Sequence, residues 1–90
     1  MENVGRKVIV SGIVQCVGFR YFTCIEAHLH MLTGHAKNLH CGDVEVLLFG
    51  AKDNMEKMLK WLEKGPKTAR VESITVTEVP YLEQKGFISL

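Results

Sequence analysis

Residues 7–22 read KVIVSGIVQCVGFRYF. Val8, Val10, Gly12 and Val14 alternate with Ile9, Ser11 and Ile13, so an extended chain here is apolar on both faces. Such a strand belongs inside a sheet rather than at its edge, and it is expected over residues 6–14. The run then breaks at Gln15-Cys16-Val17-Gly18. From Phe19 to Met31 neither proline nor glycine interrupts, and Phe19, Phe22, Glu26 and Leu29 recur at helical spacing. The stretch is a strand, a tight turn and a helix.

Further along, residues 33–38 are short and strand-like, 39–42 are turn material, and Val44, Val46 and Leu48 alternate with Glu45, Leu47 and Phe49. This predicts a hairpin whose first strand ends near Asn38. Met55, Met58, Leu59 and Leu62 fall at i, i+3, i+4 and i+7. They define a second helix with Asp53 or Asn54 as its cap and a stop at Lys64-Gly65-Pro66. The lysines of that segment, Lys52, Lys57, Lys60 and Lys64, read as its solvated face. Residues 69–79 are rich in Val, Ile and Thr, with Val71 out of phase with Ile74 and Val76, which predicts a bulge or bend near Ser73. Residues 87–90 can add a short final strand. The order β-α-β-β-α-β implies a two-layer α/β sandwich of the ferredoxin-like type, an antiparallel sheet with two helices on one face.

Ninety residues, 47% of them hydrophobic, fill one domain spanning 1–90. Eleven Lys and Arg against ten Asp and Glu leave a net charge of +1, which gives no broad field to attract nucleic acid or a membrane surface. The apolar runs are far shorter than the roughly 20 residues of a membrane span, and no export signal is expected. Three cysteines, Cys16, Cys24 and Cys41, make an odd count that favours free thiols in a reducing cytoplasm. A Cys16–Cys41 bridge is the alternative. Cys24 and His28 share a helix face and His40 adjoins Cys41, but the spacings complete no four-ligand set, so no metal and no cofactor are expected.

The turn after the first strand is built to cradle an anion. Backbone N–H groups of Gln15, Cys16, Val17, Gly18 and Phe19 enter a helix N-terminus, where they lack intrahelical acceptors and the dipole adds partial positive charge. Gly12 and Gly18 supply the bare backbone that a close approach to phosphate needs. Arg20 adds a planar, permanently charged fork for two phosphoryl oxygens.

These residues resemble the signature of the acylphosphatase family, G-x-V-Q-G-V-G-F-R, and eight of nine positions of Gly12-Ile13-Val14-Gln15-Cys16-Val17-Gly18-Phe19-Arg20 agree. Leu32-Thr33-Gly34 through Asn38, followed by Gly42-Asp43-Val44-Glu45-Val46, is similar to the family's second segment. Trp61-Leu62, Gly65-Pro66, Ala69-Arg70-Val71 and Phe87-Ile88 extend the likeness over essentially the whole chain. The resemblance implies hydrolysis of small acyl phosphates to a carboxylate and inorganic phosphate, by direct attack of water, with Arg20 and Asn38 as catalytic residues. A monomer acting without cofactor on a small molecule is expected.

Cys16 departs from the family glycine. If that position requires positive φ, the side chain strains it by about 1–2 kcal/mol and activity is expected to suffer. A thiol in such a cradle is also expected to react readily with oxidants or alkylating agents. His30, Met31 and His35 are further departures, with consequences for stability rather than chemistry. The rival reading is a non-catalytic ferredoxin-like module that binds phosphate or another anion and has lost turnover through Cys16. An RNA-binding sheet domain would want sheet-face aromatics and a basic surface, which this chain lacks.

Overall fold

In the computed structural model, which describes residues 2–90, the elements follow as β1 (Asn3–Ile13), α1 (Phe19–Leu29), β2 (Thr33–Asn38), β3 (Val44–Ala51), α2 (Lys52–Lys64), β4 (Arg70–Val79) and β5 (Phe87–Ser89). The sheet order is β4-β1-β3-β2-β5. β1 is an interior strand, between β4 and β3, as expected, and β3 holds the centre. The first four strands pair antiparallel, whereas β5 lies parallel to β2, with Gly34 opposite Phe87 and Ala36 opposite Ser89. The sheet is therefore mixed rather than wholly antiparallel. The β4–β5 connection must travel from one edge of the sheet to the other. Tyr81, within it, stacks edge-on against Phe49 at 6.1 Å.

The core gathers between the sheet and the helices. Val8, Val10, Val44, Val46, Leu48 and Ala36 come from the strands, Phe19 and Ala27 from α1, and Met55, Met58 and Leu62 from α2. The three-and-four spacing of α2 is what turns its apolar residues to this core and leaves the four lysines exposed. Truncating a buried side chain such as Met58 costs about 2–5 kcal/mol in lost transfer energy plus a cavity.

Local sequence fixes two details. The bulge predicted near Ser73 falls at Glu72: Ser11 pairs with Ser73 and Gly12 with Val71, leaving Glu72 unmatched. α1 ends with His30 as its cap and Met31 in the left-handed region at φ 55°. The Leu32 N–H bonds to Ala27 O at 2.9 Å and the Met31 N–H to His28 O at 3.1 Å, the paired closure that usually employs glycine. The cap of α2 differs from expectation. Ala51, extended at φ −65° and ψ 140°, precedes the helix with no side-chain cap, so neither Asp53 nor Asn54 serves. Instead the Lys52 N–H bonds to the Glu2 carbonyl at 3.0 Å, a partner supplied by the start of the chain. The histidine departures find carboxylate neighbours: His30 Nε2 lies 3.3 Å from Glu26 Oε2, and His35 Nε2 lies 2.9 Å from Glu45 Oε2.

Candidate active site

A cleft of about 270 Å3 opens where β1 gives way to α1, lined by Val14, Cys16, Gly18, Phe19, Arg20, Tyr21, Cys24, Asn38 and Ser89. Its floor is the start of α1. Gly18 is the N-cap, left-handed at φ 78° and ψ 13°, with no side-chain cap, and the first turn carries no acidic residue. The first helical bond runs from Phe22 N–H to Gly18 O at 3.0 Å. The N–H groups of Phe19, Arg20 and Tyr21 therefore have no acceptor within the helix, and the dipole concentrates about half a positive charge there. A side chain at Gly18 would face both the left-handed backbone and the Phe22 ring, whose nearest atom lies 3.4 Å from the ideal Cβ position.

Cys16 also stands in the left-handed region, at φ 63°. The positive φ on which the strain argument depended is thus present. All three cysteines are free, with Cys16 and Cys41 exposed and Cys24 partly covered. Cys24 sits one turn beyond Arg20. Burial pushes its thiol up from the ordinary range, while the Arg20 charge pulls it partly back, so this wall of the cleft is a neutral thiol.

Arg20 extends across the cleft and donates from one guanidinium nitrogen to the backbone carbonyl of Leu90. Asn38 ends β2 directly opposite Val44. Its Oδ1 is buried yet accepts no hydrogen bond from any described residue. A buried carbonyl oxygen without a partner is costly by about 1–3 kcal/mol, and the residue that carries it is one of those lining the cleft.

The sequence-derived set divides once placed. Cys16, Gly18, Phe19, Arg20 and Asn38 converge on the cleft, whereas Gln15, Val17 and Gly12 do not line it. Val17 packs against the core, and its carbonyl accepts the Thr68 hydroxyl at 2.6 Å. Gln15 turns its side chain toward the β2–β3 turn, donating to Leu39 O at 2.8 Å and Asp43 O at 2.9 Å. Gly12, expected to let the backbone approach a phosphate, has another purpose. A Cβ there would lie 2.1 Å from Arg70 O, so its bareness admits the bulged β4 strand. Tyr21, Cys24 and Ser89 were not anticipated. Cys24 follows Arg20 at i+4, a spacing that places it on the same helix face, but Ser89 arrives only through the β2–β5 pairing and has no local signal. Among the described residues, no three His, Cys, Asp or Glu side chains gather as a metal site, and no helix is long and apolar enough to cross a membrane.

A two-layer α+β protein with an uncapped helix start, an arginine and an unpartnered asparagine around one cleft has the features of an anion-binding scaffold. Residues 6–88 match the family profile described as Acylphosphatase. The chain is 67% identical over 89 residues to the acylphosphatase of Psychromonas ingrahamii, covering 99% of each. It is 51% identical over 81 residues to that of Vibrio vulnificus, covering 90% of each. Among solved structures, an acylphosphatase from Coxiella burnetii superposes with a TM-score of 0.93 at 34% identity, over 98% of this chain and 93% of that one. The chain belongs to the acylphosphatase family and is an enzyme of that family. The non-catalytic alternative finds no support in these likenesses, which are to enzymes by name.

Proposed function

We propose that this chain hydrolyses small acyl phosphates by direct attack of water, with Arg20 and the start of α1 holding the phosphoryl group and Asn38 holding the water. The observation that carries the proposal is the convergence on one cleft of Arg20, the start of α1 with its free amides, and Asn38, whose Oδ1 has no hydrogen-bond partner among the described residues. An amide oxygen accepts a hydrogen bond from water and thereby aims a water lone pair at phosphorus. The amides and the guanidinium receive the phosphoryl oxygens and offset their charge as the loose transition state forms.

The leaving group explains why so little machinery suffices. An acyl phosphate expels a carboxylate whose conjugate acid has a pKa of about 4, so the P–O bond breaks with its electron pair leaving on unprotonated oxygen. The water oxygen bonds to phosphorus, and its proton passes to the phosphate product or to solvent. Positioning and electrostatic stabilisation carry the step, and no strong general base is required. The odd number of thiols supports a reducing cytoplasm as the working compartment.

The test is steady-state hydrolysis of an aromatic acyl phosphate with chelator and reductant present. Arg20→Ala is expected to lose about 10²–10³ in kcat/KM and to weaken inhibition by inorganic phosphate. Asn38→Ala is expected to lose a similar factor in kcat, about 10²–10³, while leaving phosphate inhibition in place. Full turnover in either variant would reject its assigned role.

A further inference from the structure

The strand order separates the two halves of the cleft. β3 lies between β1 and β2, so no ladder hydrogen bond joins the loop that follows β1 to the end of β2. That loop carries Cys16 and Gly18 on one side, and β2 ends at Asn38 on the other. Their separation decides whether a water held at Asn38 lies in line with a phosphoryl group held by the cradle.

One side chain bridges the gap. Both N–H groups of the Gln15 amide are spent on the β2–β3 turn, one on Leu39 O at 2.8 Å and one on Asp43 O at 2.9 Å. These two carbonyls belong to the ends of the turn, which the Leu39 N–H to Asp43 O bond at 2.8 Å and the Gly42 N–H to Leu39 O bond at 3.2 Å close from within. A single planar amide therefore grips both ends at once. On one side Gln15 is covalently next to Cys16 of the cradle, and on the other its acceptor Leu39 is covalently next to Asn38. Gln15 itself does not line the cleft and so does not touch a bound phosphoryl group through its side chain.

We propose that Gln15 is a positioning residue of the reaction, a strut that sets the distance between the phosphate cradle and Asn38. The inference rests on the reading of Asn38 as the water-holding group. Losing the strut lets the end of β2 shift against the cradle, and a misplacement of about 1 Å in a reacting geometry costs about 10²-fold in rate. Phosphate affinity depends on Arg20 and the α1 amides, which the change leaves alone.

Gln15→Met keeps the length of the side chain and removes both donors. Its kcat on an aromatic acyl phosphate is expected to fall by about ten- to a hundredfold, with the inhibition constant for inorganic phosphate within about twofold of the parent. Gln15→His restores one ring N–H at the same reach and should recover part of the loss. In a double-mutant cycle, Gln15→Met is expected to add almost nothing to Asn38→Ala, because the strut acts through the residue already removed. All assays run well below the melting midpoint of each variant. An unchanged kcat in Gln15→Met, even with a lowered Tm, overturns the proposal, as does full additivity in the cycle or a parallel loss of phosphate binding. Should Gln15→Met not fold, Gln15→Leu, which likewise lacks both donors, decides by the same criteria. Turnover lost in Asn38→Ala but kept in Gln15→Met would refute the strut alone, whereas turnover kept in Asn38→Ala would refute the underlying reading of that residue.

Discussion

Replacing Cys16 by glycine isolates the energetic consequence of one backbone angle. At φ 63° the cysteine Cβ crowds its neighbouring carbonyl, and an L-residue in this region carries about 1–2 kcal/mol relative to glycine. Glycine removes that strain but gives the unfolded chain more freedom, which offsets about 0.4–1 kcal/mol. The Cys16 side chain is exposed, so no buried contact is lost with it. The net gain is about 0.5–1 kcal/mol, which for a domain of this size raises Tm by about 3–6 °C. Because Cys16 already holds the left-handed geometry, the cradle amides point the same way in both proteins, and kcat/KM should stay within about threefold. Thermal unfolding followed by circular dichroism, beside hydrolysis of an aromatic acyl phosphate, measures both quantities. Cys16→Ala is the decisive control, since alanine keeps the Cβ and should gain nothing. A gain in Cys16→Ala equal to that of Cys16→Gly, or a fall in Tm for the glycine variant, would refute the reasoning. A large rise in kcat/KM would show that the strained cysteine lowers activity, as the sequence alone led one to expect.

Met31→Gly should stabilise by a similar route, about 0.5–1 kcal/mol in denaturant unfolding, because Met31 closes α1 at φ 55° with its side chain 78% exposed. Gly12→Ala, by contrast, thrusts a methyl to 2.1 Å from Arg70 O; soluble folded protein should be lost, or ΔG of unfolding should drop by more than about 3 kcal/mol, and tolerance of alanine there would contradict the β4 packing. Mass-spectrometric mapping of iodoacetamide labelling at mildly alkaline pH should find Cys16 and Cys41 modified well before Cys24. Burial raises the Cys24 thiol's pKa, so less of it is thiolate at any such pH, and raising the pH further should narrow the difference. Preferential labelling of Cys24 would contradict its placement.

What the sequence made legible was whatever local periodicity determines. β2 matches its expected range of 33–38, the apolar face of α2 follows from Met55, Met58 and Leu62, and the bulge falls one residue from Ser73. Arg20 and Asn38 do meet in one cleft. The features that escaped depend on partners distant in sequence. The start of α2 is satisfied by Glu2, which no capping pattern around Asp53 could reveal. The Gln15 amide reaches carbonyls 24 and 28 residues ahead, so its side chain read only as part of a loop. Gly12 was assigned to the phosphate because it precedes the turn, whereas the crowding comes from β4, a strand whose proximity is a property of the assembled sheet.

The bond from Arg20 to the Leu90 carbonyl spans 70 residues and depends on β5, a three-residue strand held along a single edge. Closing so long a segment costs entropy that only the completed sheet repays, which places this contact among the late events of folding. A strand so short also belongs to the low-stability end of the native landscape and opens locally without global unfolding. The guanidinium is consequently tethered to one of the first parts of the molecule to fray. Amide exchange at Ile88 and Leu90 therefore measures, from the backbone side, how often that tether is released.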